Sequence, residues 1–472
     1  GRGRRGQRAA RPDPGRRGPL RRGRGPARER IRCMGTLSAE EITELSKRYT
    51  LFDWSAQSKV MPLAVDRAEG IYFWGTDGAR YIDFNSQLMG VNIGHSDRRV
   101  IEAMHRQAGR LAYVSPFMTY EERALLGQKM AEILPGRMEK TFYSLGGAEA
   151  NENAIKIARM VTGRHKILAR YRSYHGATTG ALSLTGDPRR WPNEPMMGGV
   201  VHVLDPYHGP TRPADDAATA LALLEETIEL EGPETIAAFF LETVTGTNGI
   251  LIPPDGYLQG VRELCTRYGI LMVSDEVMCG FGRTGEWFAV NHWDVVPDIL
   301  SCAKGLTSSY APLGALGLSP QVAAYFDDNV FWGGLTYNTH PLSVAAALAT
   351  ISVYEEDGLI DHARKMGAVM ARHHQELKER HCSVGEVRNI GLFGAIDLVR
   401  NRETMEPMSP FNVTNDVMAK VNAFLLDHGL YTMIRWWTVM TNPPLPITEA
   451  QLAEAFEILD EALAIADLAV EA

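Results

Sequence analysis

Between residues 140 and 318, short apolar and β-branched runs alternate with longer stretches of helical pattern. That alternation commits a chain to a mostly parallel α/β sheet, because parallel strands need helical crossovers between them. The runs at 140–143, 166–169, 200–203, 236–241, 270–273, 299–303 and 315–318 predict strands. After the first, Ser144-Leu145-Gly146-Gly147 reads as a turn, and Ala150, Ala154, Ile157, Ala158 and Val161 fall at helical spacing. This predicts an amphipathic helix over 149–162. Beyond His340 the pattern changes to helices at 341–356 and 361–380, strands near 387–398 and a last helix from Thr448, a smaller α+β domain. Earlier, two strand-like runs around Asp77-Gly78 predict a hairpin over 71–84. The expected division is a tail at 1–33, a segment at 34–90 joining the small domain, a large domain at 91–340 and a small domain at 341–472.

Charge separates the tail from the rest. Residues 1–33 carry 13 Arg against Asp13 and Glu29, a local charge of +11 in a chain of net −8, leaving −19 on the other 439 residues. An Arg/Gly arm suits RNA or a membrane surface, whereas the acidic body does not suit nucleic acid. The tail is expected to be disordered or foreign to the native protein, with the fold starting at Met34. No apolar run approaches the roughly 18 residues of a membrane helix. The five cysteines form no CxxC pair and are odd in number, which argues for a reducing cytoplasm and against a disulfide framework or a metal module.

Two strand ends carry the chemistry. The run Gly269–Val277 is a buried strand that delivers Asp275-Glu276 to the edge where ligands of open α/β sheets bind. Twenty-nine residues later Ile299-Leu300-Ser301-Cys302-Ala303 delivers Lys304. Desolvation there lowers a lysine's pKa and makes it nucleophilic toward carbonyls. This pair suits pyridoxal phosphate, the lysine forming the Schiff base and the aspartate keeping the pyridine nitrogen protonated. An ion pair at a domain seam is the structural alternative. Gly146-Gly147-Ala148 opens a helix, where free NH groups favour a phosphate, although a plain strand-to-helix turn looks the same. Tyr174 could stack on a heterocycle or simply pack, and His175 beside it reads as a hydrogen-bonded structural histidine.

Taken together, Asp275-Glu276-Val277-Met278-Cys279-Gly280-Phe281-Gly282-Arg283-Thr284-Gly285 and Ala303-Lys304-Gly305 resemble the hallmark of class III aminotransferases, the ω-amino-acid and amine branch of fold type I pyridoxal-phosphate enzymes. Gly70 to Asp83, Gly94-His95, Gly147-Ala148-Glu149-Ala150, Tyr174-His175-Gly176 and Thr336-Tyr337-x-x-His340-Pro341 extend the likeness from about Trp54 to the C-terminus. The resemblance implies a large cofactor-binding domain on a mostly parallel seven-stranded sheet, with Lys304 the Schiff-base lysine and Asp275 the pyridinium partner. It also implies that Val277 packs on the ring face opposite Tyr174, with His175 and Glu242 nearby. Gly147 and Ala148 would contact the phosphate. Thr336 would reach the phosphate of a neighbouring subunit, implying a homodimer or a tetramer built from it. Three departures stand out: Gly146-Gly147-Ala148 for the commoner Ser-Gly-Ser, Met278 for a frequent Gln, and Glu242-Thr243 for Glu-Pro.

By the same resemblance, Arg435 is a mobile arginine that clamps a carboxylate or sulfonate, with Glu242 its partner when no anion is bound. A surface arginine beside Trp436 and Trp437 is the alternative. Trp54, with Leu88 and Met89, is expected either to wall the substrate pocket or to pack in the core. The implied reaction is ping-pong transfer of an amino group from taurine, β-alanine or a similar ω-amine to pyruvate or 2-oxoglutarate. The competing readings are an aminomutase or decarboxylase of the same fold, and an RNA-binding protein acting through the tail.

Overall fold

The computed structural model describes residues 37–207 and 217–471; the Arg-rich tail, Cys33 and Met34 lie outside them. The chain forms two units, one ending at Ala64 and one beginning at Val65. In the first, the helix Ala39–Tyr49 opens with a capping box. Ser38 Oγ accepts from Glu41 N at 3.2 Å, and the Glu41 carboxylate accepts from Ser38 N at 2.9 Å.

The second unit is organised by seven strands: β1 Lys140–Ser144, β2 Lys166–Arg170, β3 Val200–Val203, β4 Ile236–Glu242, β5 Leu271–Asp275, β6 Ile299–Cys302 and β7 Gly314–Leu318. Their spatial order is β1-β7-β6-β5-β4-β2-β3. Strands β2 to β6 pair in parallel, and β7 runs antiparallel to both neighbours. Every residue of β4 and β5 is buried, as in a sheet covered on both faces. Each expected strand is present; β4 runs one residue further than the expected 236–241, and β5 ends at Asp275, within the run 269–277. The extension matters, because it pairs Glu242 directly with Asp275 across β4 and β5. Cross-strand partners project to the same side of a sheet, so the two carboxylates share one.

The hairpin Tyr72–Gly75 and Arg80–Asp83 is joined by a further strand, Val65–Glu69, and by Leu430–Tyr431, which pairs parallel to Arg80–Asp83. Another antiparallel sheet contains Val384–Ile390, Phe393–Asn401, Thr438–Thr441 and Ile434–Arg435. The helix Pro341–Glu356 packs on Arg98–Arg110 and Glu121–Ile133. Its Val344, Ile351 and Tyr354 enter the same apolar core as Ile82, Val100, Leu126 and Leu430. One core therefore runs across residue 340. Among the described residues no helix is long and apolar enough to cross a membrane.

Candidate active site

Asp275 ends β5 almost fully buried, and its carboxylate is held from three sides. Oδ2 accepts from His175 Nδ1 and from Asn151 Nδ2, both at 2.8 Å, and Oδ1 accepts from Val277 N at 3.0 Å. An ionised carboxylate only accepts, so the His175 proton facing it sits on Nδ1. Asn151 also donates to the His175 carbonyl at 2.8 Å, which locks helix, loop and strand end together. Sequence reasoning passed over Asn151. Its signal was an amide on the apolar stripe of the helix Gly147–Thr162, at a position the fold buries completely.

Lys304 follows β6 in a left-handed backbone conformation, φ +40°, in the turn Lys304–Leu306. A β-carbon costs energy there, and such strain persists where the surroundings fix the residue. Gly90 lies against it: a Cβ on Gly90 would fall 3.6 Å from Lys304 Cβ and 2.3 Å from Ser309 Oγ. Burial pulls the Lys304 amine down to about 8, against the attraction of Asp275 and Glu242 and with repulsion from Arg189. Glu242 is buried and its pKa raised, desolvation being the chief cause. Its oxygens hold backbone, accepting from Tyr174 N at 2.9 Å and Gly246 N at 2.7 Å.

Beside these groups stands the N-terminus of the helix Gly147–Thr162, capped by Gly146 without a side-chain hydrogen bond. Close approach requires glycine at two places. A Cβ on Gly147 would lie 2.8 Å from Val277 Cγ2, and one on Gly176, at φ +139°, would lie 2.5 Å from Ala148 Cβ. Gly147, Ala148, Val277 and the Tyr174–Gly176 loop thus meet at one edge of the sheet, with Asp275 and Lys304. Thr336 is exposed and is brought instead to Tyr113, whose hydroxyl donates to its carbonyl at 2.8 Å. Met89 is buried against Val244, Met278 and Cys279, a core position, while Leu88 is exposed. Trp54 belongs to the N-terminal unit and is exposed.

The expected partnership of Arg435 with Glu242 is not what the structure holds. Both Glu242 oxygens are engaged by backbone NH groups, and Arg435 Nη2 instead donates to Asp187 Oδ2 at 3.0 Å. Asp187 is also gripped by Arg189, whose Nε lies 3.1 and 3.0 Å from its two oxygens. Neither Asp187 nor Arg189 was singled out in the sequence, where both are lost in a polar Gly-Asp-Pro-Arg-Arg turn. The guanidinium of Arg189 stacks on the Tyr174 ring at 3.6 Å from its centre, and that of Arg435 on Trp436 at 4.4 Å.

The glycine-rich loop after β5 is held by two buried side chains. Glu276 accepts from Ala289 N and Val290 N at 2.9 Å each and from Thr243 Oγ1 at 2.7 Å. Thr243, in place of the commoner proline, therefore contributes a hydroxyl to this knot. Fully buried Arg283 donates to the carbonyls of Leu392 and Pro443 and to Ser86 Oγ and Asn92 Oδ1. Burial lowers its pKa to about 10. It ties the loop to both the early and the late chain.

Comparison with known proteins agrees with this geometry. The family described as aminotransferase class-III matches residues 54–463. The structure of the taurine:2-oxoglutarate aminotransferase from Bifidobacterium kashiwanohense, in complex with PLP and glutamate, has a TM-score of 0.88 and 39% identity, covering 93% of this chain and 100% of that one. The taurine–pyruvate aminotransferase of Bilophila wadsworthia is 32% identical over 452 residues, 90% of this chain and 98% of the relative. The putrescine–pyruvate aminotransferase of Pseudomonas aeruginosa is 30% identical over 414 residues, 84% and 90%. The chain belongs to the class-III aminotransferases, enzymes of fold type I. It is a pyridoxal-phosphate-dependent enzyme that moves an amino group from an amine donor to a keto acid. The donor set fits that cofactor: a helix N-terminus with no side-chain cap for phosphate, a fixed buried carboxylate for a ring nitrogen, and an amine with a depressed pKa for an aldehyde.

Proposed function

We propose that this aminotransferase takes ω-amino acids or related amines, taurine and β-alanine among them, and passes the amino group to pyruvate or 2-oxoglutarate. The observation that carries the reading is Arg435. Its guanidinium lies beside Arg189 and the Tyr174 loop, where it can receive a carboxylate or sulfonate bidentately. The names of the taurine- and putrescine-using relatives support the donor class.

In this reading the cofactor, when bound, supplies an aldehyde that takes up the amino group and a ring that accepts the electron pair released at the substrate carbon. The chain's residues do the rest. Lys304 anchors the aldehyde and, once released, its Nζ carries the proton between substrate and cofactor carbons. Asp275, oriented by Asn151 and His175, keeps the ring nitrogen protonated. The NH groups of Gly147 and Ala148 hold the phosphate, Val277 and Tyr174 flank the ring, and Glu242 fixes the Tyr174 loop. Thr336 completes the phosphate site of a second copy in a homodimer, a reading supported by the exposed aromatic side chains beside it, Tyr113 and Tyr337, and by exposed Phe117 and Trp332 on the same two chain segments. A cytoplasmic setting fits Cys265, Cys279, Cys302 and Cys382, all free thiols.

The test is a panel of taurine, β-alanine, putrescine and 1-phenylethylamine, each run against pyruvate and 2-oxoglutarate. Borohydride reduction should fix the cofactor on Lys304, read by peptide mass. Turnover of α-amino acids alone, or an adduct on another lysine, would overturn the reading.

A further inference from the structure

Asp187 sits where two cations converge on one anion. Its carboxylate is 1% exposed, and Oδ2 alone meets Arg189 Nη2, Arg189 Nε at 3.0 Å, Arg435 Nη2 at 3.0 Å and Asn248 Nδ2 at 3.3 Å. The two arginines are held very differently. Arg189 grips both Asp187 oxygens, donates to Thr247 Oγ1 at 2.7 Å and has its guanidinium carbon 3.6 Å from the centre of the Tyr174 ring. Arg435 has one hydrogen bond to Asp187, contacts Trp436, and its buried Nε has no partner. The cluster holds two guanidiniums against one carboxylate, a formal surplus of one positive charge. Burial is the chief reason the Arg435 pKa falls to about 10, with repulsion from Arg189 next and Asp187 opposing both.

We propose that Asp187 is a positioning residue that stands in for the substrate's acidic group: it holds Arg435 by a bond the substrate anion replaces, and Arg189 is the fixed second guanidinium of the same subsite. The proposal rests on the reading that one substrate bears a carboxylate or sulfonate. An acid-bearing substrate takes over Arg435 and shares the positive surplus, whereas an amine without an acidic group leaves the Asp187–Arg435 bond intact. Neither case strands a buried charge, which is the costly alternative. Asp187 therefore sets the affinity for the acid, since a competitor that occupies the site reduces apparent affinity by the fraction of time it leaves the site free.

The test uses the holoenzyme and propionate, an acid that cannot react. Asp187→Asn removes the competing charge and keeps a side chain able to cap the turn Pro188–Asn193. Calorimetry should show propionate binding about 3- to 10-fold tighter in the variant. The KM for pyruvate should fall with it, and the KM for 1-phenylethylamine should not. Asp187→Glu should restore the original values. If the asparagine variant melts early, Asp187→Ser, also a capping residue, carries the same expectation. Unchanged or weaker propionate binding, or a parallel change in both KM values, would overturn the proposal. Failure of the underlying reading looks different: the wild-type enzyme would bind propionate but transfer no amino group to any keto acid.

Discussion

Lys304 shows what burial does to one functional group. An amine held at about 8 in the fold, against 10.5 when solvated, makes the fold unfavourable for its charged form. With the cofactor removed, that cost is fully present below pH 8, where the lysine is charged folded and unfolded alike. It fades as pH rises from about 8 to 10.5, because the unfolded chain then binds the extra proton, and stability rises. Replacing Lys304 with methionine should therefore raise the melting temperature of the cofactor-free protein at pH 7, with the advantage shrinking toward pH 10.5. Melting curves of both proteins across that range check it; a difference independent of pH would mean that the lysine titrates as in water. At this scale the sequence was readable where a strand delivered the side chain. Asp275 and Lys304 each follow an apolar run, whereas Asn151 lies inside a helix and Asp187 in a polar turn. Their meaning comes from neighbours 124 and 248 residues away, which no local pattern encodes.

Among the elements, the strand-to-helix turn after β1 has the least room. Gly147→Val would place its β-carbon 2.8 Å from Val277 Cγ2, so the turn or the loop after β5 has to move. Overpacking of this kind costs about 1–3 kcal/mol. Because both segments border the proposed phosphate site, the cofactor dissociation constant should rise by roughly 5- to 150-fold at 1.4 kcal/mol per decade. Titration of the cofactor-free variant with pyridoxal phosphate, followed by absorbance, measures it, and unchanged affinity would detach this turn from cofactor binding. The strands themselves were legible because their apolar runs are short and bounded. The carboxyl end of β4 was not, since Glu242 is a polar residue that stays in register through pairing with Asp275 rather than through hydrophobicity. Strand Val65–Glu69 escaped notice for a related reason: it is mostly exposed and reads as polar chain.

For the whole molecule, the unusual surface is apolar. Phe117 is 99% exposed and Trp332 79%, values that suit a face covered by another chain. Tyr113 and Tyr120 tie their segment to 336–340 through the carbonyls of Thr336 and Thr339, so the apolar groups and Thr336 belong to neighbouring segments. If the proposed dimer forms through this face, Phe117→Glu should shift the holoenzyme toward monomer in light scattering and lower its activity by at least about tenfold, the loss expected when a hot-spot side chain worth more than 1.4 kcal/mol is removed. A wild-type protein that is monomeric and fully active would remove the basis for the dimer. Sequence reading set the boundary of a small domain at residue 340, yet the apolar core crosses it, because helix Pro341–Glu356 packs against the early chain as well as the late one. The placement of β7 has a consequence for the order of events at birth. Among the described residues, strand β1 pairs only with β7, and a Cβ on Gly314 of β7 would come within 2.5 Å of the Gly146 carbonyl. The turn that opens the helix Gly147–Thr162 is thus shaped against a residue synthesised some 170 positions later. A nascent chain can lay down β2 to β6 while it leaves the ribosome, but the turn at the proposed phosphate site gains its β7 neighbour only when β7 emerges, so cofactor capture is expected to be a late, chain-length-gated step.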